Sequence, residues 1–297
     1  DTVRGNTKFI RTNSTTANRT SSSGDVTGFT SSGFSLGAST TAGVNNSSNE
    51  YVSWTWRKAP KYFDIVTYTG TGSNQTINHN LGSVPGMIAV KNLDSSQHWA
   101  VFHRRTHETS PQNYRLLLSA NSGRSLSNQW WNNTAPTSTQ FTVGIEDAVN
   151  KSGSNMIAYL FAHNDGDGDF GPTADQDIIK CGSYTGAGST DVDVNIGFEP
   201  QWLMIKKSTD TGNWVIVDNM RGVVTGDDDA HLLANLANSE DNSSDFLEFT
   251  PTGFRITGTS GNVATNNATY IFIAIRRGPL AAPTSSSQVF AAANGNS

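Results

Sequence analysis

Residues 264–279 read ATNNATYIFIAIRRGP, and the pattern is written twice more, as NKSGSNMIAYLFAHND at 150–165 and NNSSNEYVSWTWRKAP at 45–60. Each copy is a small polar turn followed by an apolar, aromatic-rich strand pattern. Self-similarity at a regular spacing constrains the architecture before any single residue is interpreted.

Whole units can be followed by their landmarks. SVPGMIAVKN at 83–92 aligns with FEPQWLMIKK at 198–207, which pairs Pro85 with Pro200, Lys91 with Lys206 and, further on, Trp99 with Trp214. Ile77, His79 and Leu81 fall opposite Val192, Val194 and Ile196. TSTQFTVG, TPTGFRIT and TSSGFSLG each lead a polar turn into a phenylalanine, Phe141, Phe254 or Phe34. The period is roughly 105 to 115 residues, far longer than the units of about 20 to 50 that build solenoids, so these are domains in a row.

The first copy is partial. DTVRG at 1–5 matches DNMRG at 218–222, so the chain opens more than a third of the way into a unit, and no initiator Met is present. The expected organisation is a partial β-module at 1–60 and a complete one at 61–165. An acidic, Gly-rich linker follows at 166–174, a second complete module at 175–279 and a Ser/Ala-rich tail at 280–297. Strands at 8–12 and 51–56 of the partial unit would carry unpaired edges, which proteins avoid. Residues upstream or another chain are expected to complete that sheet.

With 35% hydrophobic residues and 28 Gly in 297, the chain can build only small cores, which suits β-modules with long polar turns. Val192, Val194 and Ile196 alternate with Asp191, Asp193 and Asn195, the period of a strand with one wet face. The stretches 270–275 and 156–162 are apolar on both faces and read as central strands covered on two sides. Val52, Trp54 and Trp56 alternate with Ser53 and Thr55. AHLLANLAN near Ala230, with its counterparts YRLLLSAN at 114–121 and KFIRTN at 8–13, reads as strand or a short turn of helix. The expected fold class is all-β, with tandem jelly-roll-like β-sandwiches.

A single cysteine, Cys181, rules out an internal disulfide, and its apolar strand setting points to a buried, inert thiol. A net charge of −5 argues against nucleic acid, which requires a basic face. No stretch has the length of a membrane-spanning helix. In HRRTHE, His103, His107 and Glu108 would matter on a helix, but they sit between strands, so no zinc site is expected. Asp165, Asp167 and Asp169 resemble the opening of a calcium loop, yet position 12 is Gln176 instead of the bidentate Glu, and a polar linker is the competing reading. Asp227, Asp228 and Asp229 read as a solvated acidic turn. No cofactor and no catalytic group is expected, because no nucleophile, base and oxyanion donor can be assembled from the sequence.

Trp130 and Trp131 are the candidate ligand-binding residues. In an extended segment they point to opposite sides, so at most one enters its own core, leaving the other for a sugar, a neighbouring chain or another loop.

The run GFEPQWLMIKKSTDTGNWVIVDNMRG, a Leu-rich segment, FTPTGFRIT and NNATYIFIAIRRGP together resemble a β-rich repeat module of structural proteins of marine tailed bacteriophages, tail fibre-like proteins among them. The resemblance covers essentially all of the chain before Pro279. It departs from the usual pattern in the strand endings AYLFAH and AIRRGP. It implies virion architecture on the particle exterior, made in the host cytoplasm, and brings no catalytic residues to this chain. The expected function is a non-enzymatic tail or head fibre for host attachment. It would self-associate, with a trimer favoured, and contact other virion proteins and possible host glycans. The alternatives are a capsid decoration protein, a bacterial adhesin or glycan-binding array, and a depolymerase with a carboxylate pair in one groove.

Overall fold

The computed structural model describes residues 1–20, 25–38 and 44–278; the expected tail at 280–297 lies outside them. The first sixty residues form two hairpins, β1 (Lys8–Phe9) with β2 (Arg19–Thr20) and β3 (Val26–Phe29) with β4 (Phe34–Leu36). The second unit contains β5 (Phe63–Thr69), β6 (Gln75–Asn78), β7 (Met87–Asn92), β8 (Ala100–His103), β9 (Tyr114–Leu117), β10 (Ser125–Leu126), β11 (Gln140–Val143) and β12 (Asn155–Phe161). Two single-turn helices, α1 (Asn128–Trp131) and α2 (Asp147–Asn150), flank β11. The third unit contains β13 (Ile179–Thr185), β14 (Val192–Asn195), β15 (Pro200–Lys207), β16 (Trp214–Asp218), β17 (His231–Leu233), β18 (Leu247–Thr250), β19 (Gly253–Ile256) and β20 (Thr269–Arg276).

The two complete units share one topology. Their long sheets run β10-β9-β8-β7-β12-β5 and β17-β16-β15-β20-β13, and their short sheets β11-β6 and β14-β19-β18, all antiparallel. In each, the first strand pairs with the last in one sheet, and the second pairs with a later strand in the other. This nesting is shared with jelly rolls, after which the third strand continues into a meander. The fold is an all-β sandwich. The landmark pairs occupy matching positions: Lys91 lies opposite Ile157 and Lys206 opposite Ile271, with Trp99 immediately before β8 and Trp214 the first residue of β16.

One landmark pairing needs adjustment. Ile77 faces Phe141 in the second unit, whereas Val192 faces Ile256 and Val194 faces Phe254 in the third. The short-sheet register therefore slides by two residues between the copies. An even slip leaves every side chain on its original face, so both cores survive it.

As the sequence indicates, β12 and β20 are central strands. Met156, Ile157, Ala158 and Leu160 are buried, as are Tyr270, Phe272, Ile273 and Ala274. One face of the third unit's long sheet closes its own core through Leu203, Ile205, Val215 and Phe272 against Phe254 and Ile256. The other face carries Ile179, Cys181, Trp202, Met204, Trp214 and Ile271 into a core continuous with the second unit.

The first sixty residues depart from expectation. Hairpin β1–β2 repeats the register of β9–β10, Lys8 opposite Thr20 as Tyr114 is opposite Leu126. Hairpin β3–β4 places Phe29 opposite Phe34 as β18–β19 places Phe249 opposite Phe254. Yet residues 51–56 form no strand, and only Lys8–Phe9 of 8–12 is one. The alternation is real, with Val52, Trp54 and Trp56 half-buried between exposed neighbours. These residues instead run extended across the other units, Trp56 touching Phe63, Phe161 and Trp202. The reason is non-local: among the described residues of 1–60 there is no counterpart of β13–β15 for that segment to pair with. For the same reason Phe34 is 38% exposed where Phe254 is 1%. A half-open cavity of about 700 Å³, lined by Phe9 and Ile10, by Val26 and Phe29, and by Tyr159 among others, adjoins both hairpins.

Candidate interaction surface

A lysine inside an apolar strand must satisfy three N–H donors or lose its charge. Lys91 in β7 and Lys206 in β15 are both fully buried, and among the described residues no carboxylate lies within ion-pair distance of either Nζ. Both donate to carbonyls instead. Lys91 Nζ reaches the carbonyls of Thr15 (2.9 Å) and Gln97 (2.6 Å). Lys206 Nζ reaches those of Asn121 (3.0 Å), Gly212 (2.8 Å) and Lys207 (2.8 Å). Burial pulls Lys91 down to about 8; burial, then the Lys207 charge, pulls Lys206 down to about 7. The carbonyl cradle works the other way, since a neutral amine has only two donors to give it.

In each case one accepting carbonyl, Thr15 or Asn121, belongs to the preceding unit, and the tryptophans do likewise. Trp99 Nε1 donates to the Arg11 carbonyl (2.8 Å), and Trp214 Nε1 to that of Leu117 (2.9 Å). A bond in the opposite sense closes the seam. The Asn18 amide donates to the Leu93 carbonyl (2.9 Å) and the Arg124 amide to the Ser208 carbonyl (2.6 Å). Arg11, Thr15 and Asn18 stand in the β1–β2 segment where Leu117, Asn121 and Arg124 stand in β9–β10. The two junctions are thus the same junction made twice.

Behind it lies a second repeated device. In the Asp–x–x–Arg motif that begins at Asp1, the Arg4 amide and Nε donate to Asp1 at 3.0 and 2.7 Å; in the motif at Asp218, Arg221 does so at the same distances. The guanidinium tip reaches on to the segment's far end, Arg4 Nη1 to Asn18 Oδ1 (2.8 Å) and Arg221 Nη1 to Glu240 (2.9 Å). In the second unit His103 replaces the aspartate. It is buried, brought down to about 3 mainly by burial, and its Nε2 lies 3.0 Å from the Phe272 carbonyl across the junction. The Arg124 guanidinium supplies the tie there, to the Thr106 carbonyl (2.5 Å).

The other sequence candidates do not converge. Trp130 and Trp131 are 8% and 2% exposed, so the expected opposed pair is corrected. They lie on α1, which Ser127 caps by accepting from the Gln129 amide and which Asn132 ends in the left-handed region at φ 49°. On that single turn both rings turn inward, Trp131 against Phe102 and Trp130 under the Arg115 guanidinium. His107 stacks on Tyr114 (4.7 Å), away from buried His103. Asp165 pairs with Lys180 and Asp169 with Lys61, while Asp177 accepts the amides of Gly166 and Gly168. Among the described residues no group of three His, Cys, Asp or Glu side chains could hold a metal, and no helix is long and apolar enough to cross a membrane. Cys181 is buried against Gly86 at the junction, and burial raises its thiol well above the usual range.

Asp229 corrects the reading of a solvated acidic turn. It is fully buried; Oδ2 accepts the amides of Phe246 and Leu247 (2.8 Å each), and Oδ1 has no partner among the described residues. Burial lifts its carboxyl to about 6. The native state therefore holds this proton more tightly than the unfolded chain, so the stability it contributes is present below the ordinary aspartate value near 4 and lost as pH rises to about 6. Asp229→Asn keeps an acceptor for the two amides and removes the charge. Its stability relative to the native chain is expected to improve between about pH 4 and 6. Urea melts at several pH values check this, and a difference that does not change with pH refutes it.

The chain belongs to the family described as Domain of unknown function (DUF7483), whose model matches residues 1–279 and so spans all three units. Searches of the curated proteins and of the solved structures return no match.

Proposed function

We propose that this chain is a non-enzymatic structural protein of a bacteriophage virion, a tail or head fibre that carries tandem β-sandwiches outward for host attachment. The observation that carries the reading is the junction made twice. A Lys–Trp seam that sets each unit on the next in one orientation turns small sandwiches into a stiff array, and stiffness with repetition is what a fibre needs. The bacteriophage part rests on the sequence resemblance. Surface and geometry do the work, and the residues that could have hinted at chemistry are spent on structure: His103 and Cys181 at the junction, Asp229 on backbone amides. With Trp130 and Trp131 buried, a glycan contact would fall to variable loops. Small, polar modules without disulfides gain stability by association, and the fibre is proposed to be a homo-oligomer, a trimer by preference.

Antibody raised against the purified chain is expected to label the particle exterior in electron micrographs, and the protein to release no oligosaccharide from host envelope glycans in a reducing-end assay. Sustained release abolished by one acidic substitution would replace this reading with a depolymerase, and labelling of the bacterial envelope in uninfected cells with an adhesin. Light scattering of the full-length protein checks assembly; a monodisperse monomer is incompatible with it.

A further inference from the structure

We infer that the third unit presents a third copy of the docking seat, and that its occupant is another sandwich unit of this family, offering the sheet face that carries the lysine and tryptophan. In the two junctions already made, the seat consists of two carbonyls, one amide and the strap behind them: Arg11, Thr15 and Asn18 in the first unit, and Leu117, Asn121 and Arg124 in the second. The third unit reproduces each part. Leu233 pairs with Val215 as Leu117 pairs with Ala100. The Ala234 amide donates to the Trp214 carbonyl (2.9 Å) as Leu118 does to Trp99 (3.1 Å), and Leu236 turns back on Leu233 (3.1 Å) as Ala120 does on Leu117 (3.3 Å). These matches put Ala237 in the place of Asn121. The bridge between His231 and Asp241 repeats the pairing of Arg115 with Ser125, which puts Glu240 in the place of Arg124, and the Arg221 strap holds it.

What differs is the cover. Leu116, Leu117 and Leu118 are buried, whereas Leu232 and Leu233 are half-buried and Leu236 is 40% exposed. Among the described residues nothing donates to the Ala237 carbonyl or accepts from the Glu240 amide. Met220, next to the strap's Arg221 in the chain, is 79% exposed. Among the described residues it is the strap that the first unit engages: the Trp54 indole donates to Asp218 (3.1 Å) and its ring lies 5.4 Å from the Arg221 guanidinium, much as the Tyr159 hydroxyl donates to Asp1 (2.8 Å). The seat is therefore selective: its two carbonyls fit a partner that brings a buried ammonium and an indole N–H at the spacing of Lys206 and Trp214.

The inference rests on reading the chain as a stacked array and is tested by giving the seat an occupant: the full chain is extended after residue 278 by a second copy of residues 166–278. Docking is expected to slow hydrogen exchange at residues 233–240 by about tenfold or more. Leu236→Asp in the original unit is expected to abolish that protection while leaving the melting of the unextended chain unchanged. Unchanged exchange at 233–240 overturns the inference, whether the appended copy folds and tumbles freely or stays unfolded, because either outcome means the seat holds nothing. Absence of the protein from virions would remove the proposed role and leave this result untouched, so the two failures are distinguishable.

Discussion

Trp214→Ala is expected to cost about 3–5 kcal/mol, the range for deleting a buried tryptophan, and to separate the melting of the second and third units. The side chain is 2% exposed and lies in the core that runs from one sandwich into the next, so its loss leaves a void where two rigid sheets meet and neither can collapse fully to fill it. The indole bond to Leu117 adds less. That carbonyl also accepts from the Ala120 amide, so Trp214→Phe, which keeps most of the ring, is expected to cost about 1 kcal/mol plus the volume difference. Trp99→Ala empties the matching position one junction earlier, where the indole meets Arg11 and packs on Tyr159 (5.9 Å). There the partner is a pair of hairpins with a cavity adjoining it, so the expected sign is early proteolysis within residues 1–60 while the two complete units stay folded. Calorimetry and timed proteolysis read the two cases. A single unsplit transition in Trp214→Ala, shifted by less than that for Trp214→Phe, would show that this tryptophan is not what couples the units.

The parts of the structure written locally were legible in the sequence, and the parts made by distant partners were not. Alternation at 191–196 and the unbroken apolar runs at 156–162 and 270–275 state their own burial, because each strand's pattern reflects the two faces it will have. The repeat followed from the same local patterns. The extended course of 51–56 was misread because a strand is defined by what it pairs with, and Val52, Trp54 and Trp56 hold no record of that. Trp130 and Trp131 carried a local signal that outranked their adjacency: a serine cap at Ser127 and two asparagines, Asn132 and Asn133, both at positive φ, enclose one helical turn. The junction was half visible. Lys91 and Lys206 aligned as landmarks of the repeat, as did Trp99 and Trp214, but the acceptors of the lysines are backbone carbonyls, which every residue carries, so Thr15 and Asn121 need not look alike to do the same work.

Lys206→Ala is expected to cost about 2–4 kcal/mol, from the void left by its buried stem and the donors withdrawn from the Lys207 and Gly212 carbonyls, while Lys206→Met, which keeps the stem, should cost clearly less. The comparison isolates the ammonium, whose effect has a sign that pH can read. With its native value lowered to about 7 against an ordinary lysine near 10.4, the unfolded chain binds more protons than the native one between those limits. Stability from this residue therefore rises with pH across that window and is flat below it. Urea melts of the native chain and of Lys206→Met at about pH 6, 7, 8 and 9 should show the native chain gaining on the variant from pH 7 upward; taking the difference removes the tyrosines and other groups common to both. The same comparison at Lys91, lowered to about 8, should begin its rise about one unit later. A difference that falls with pH would mean that the carbonyl cradle outweighs burial and that the seam is held by a charge the protein stabilises. A rise means that the seam is a buried cation tolerated at a cost, kept because three carbonyls from two units can be brought to one point only when the units sit in their proper places.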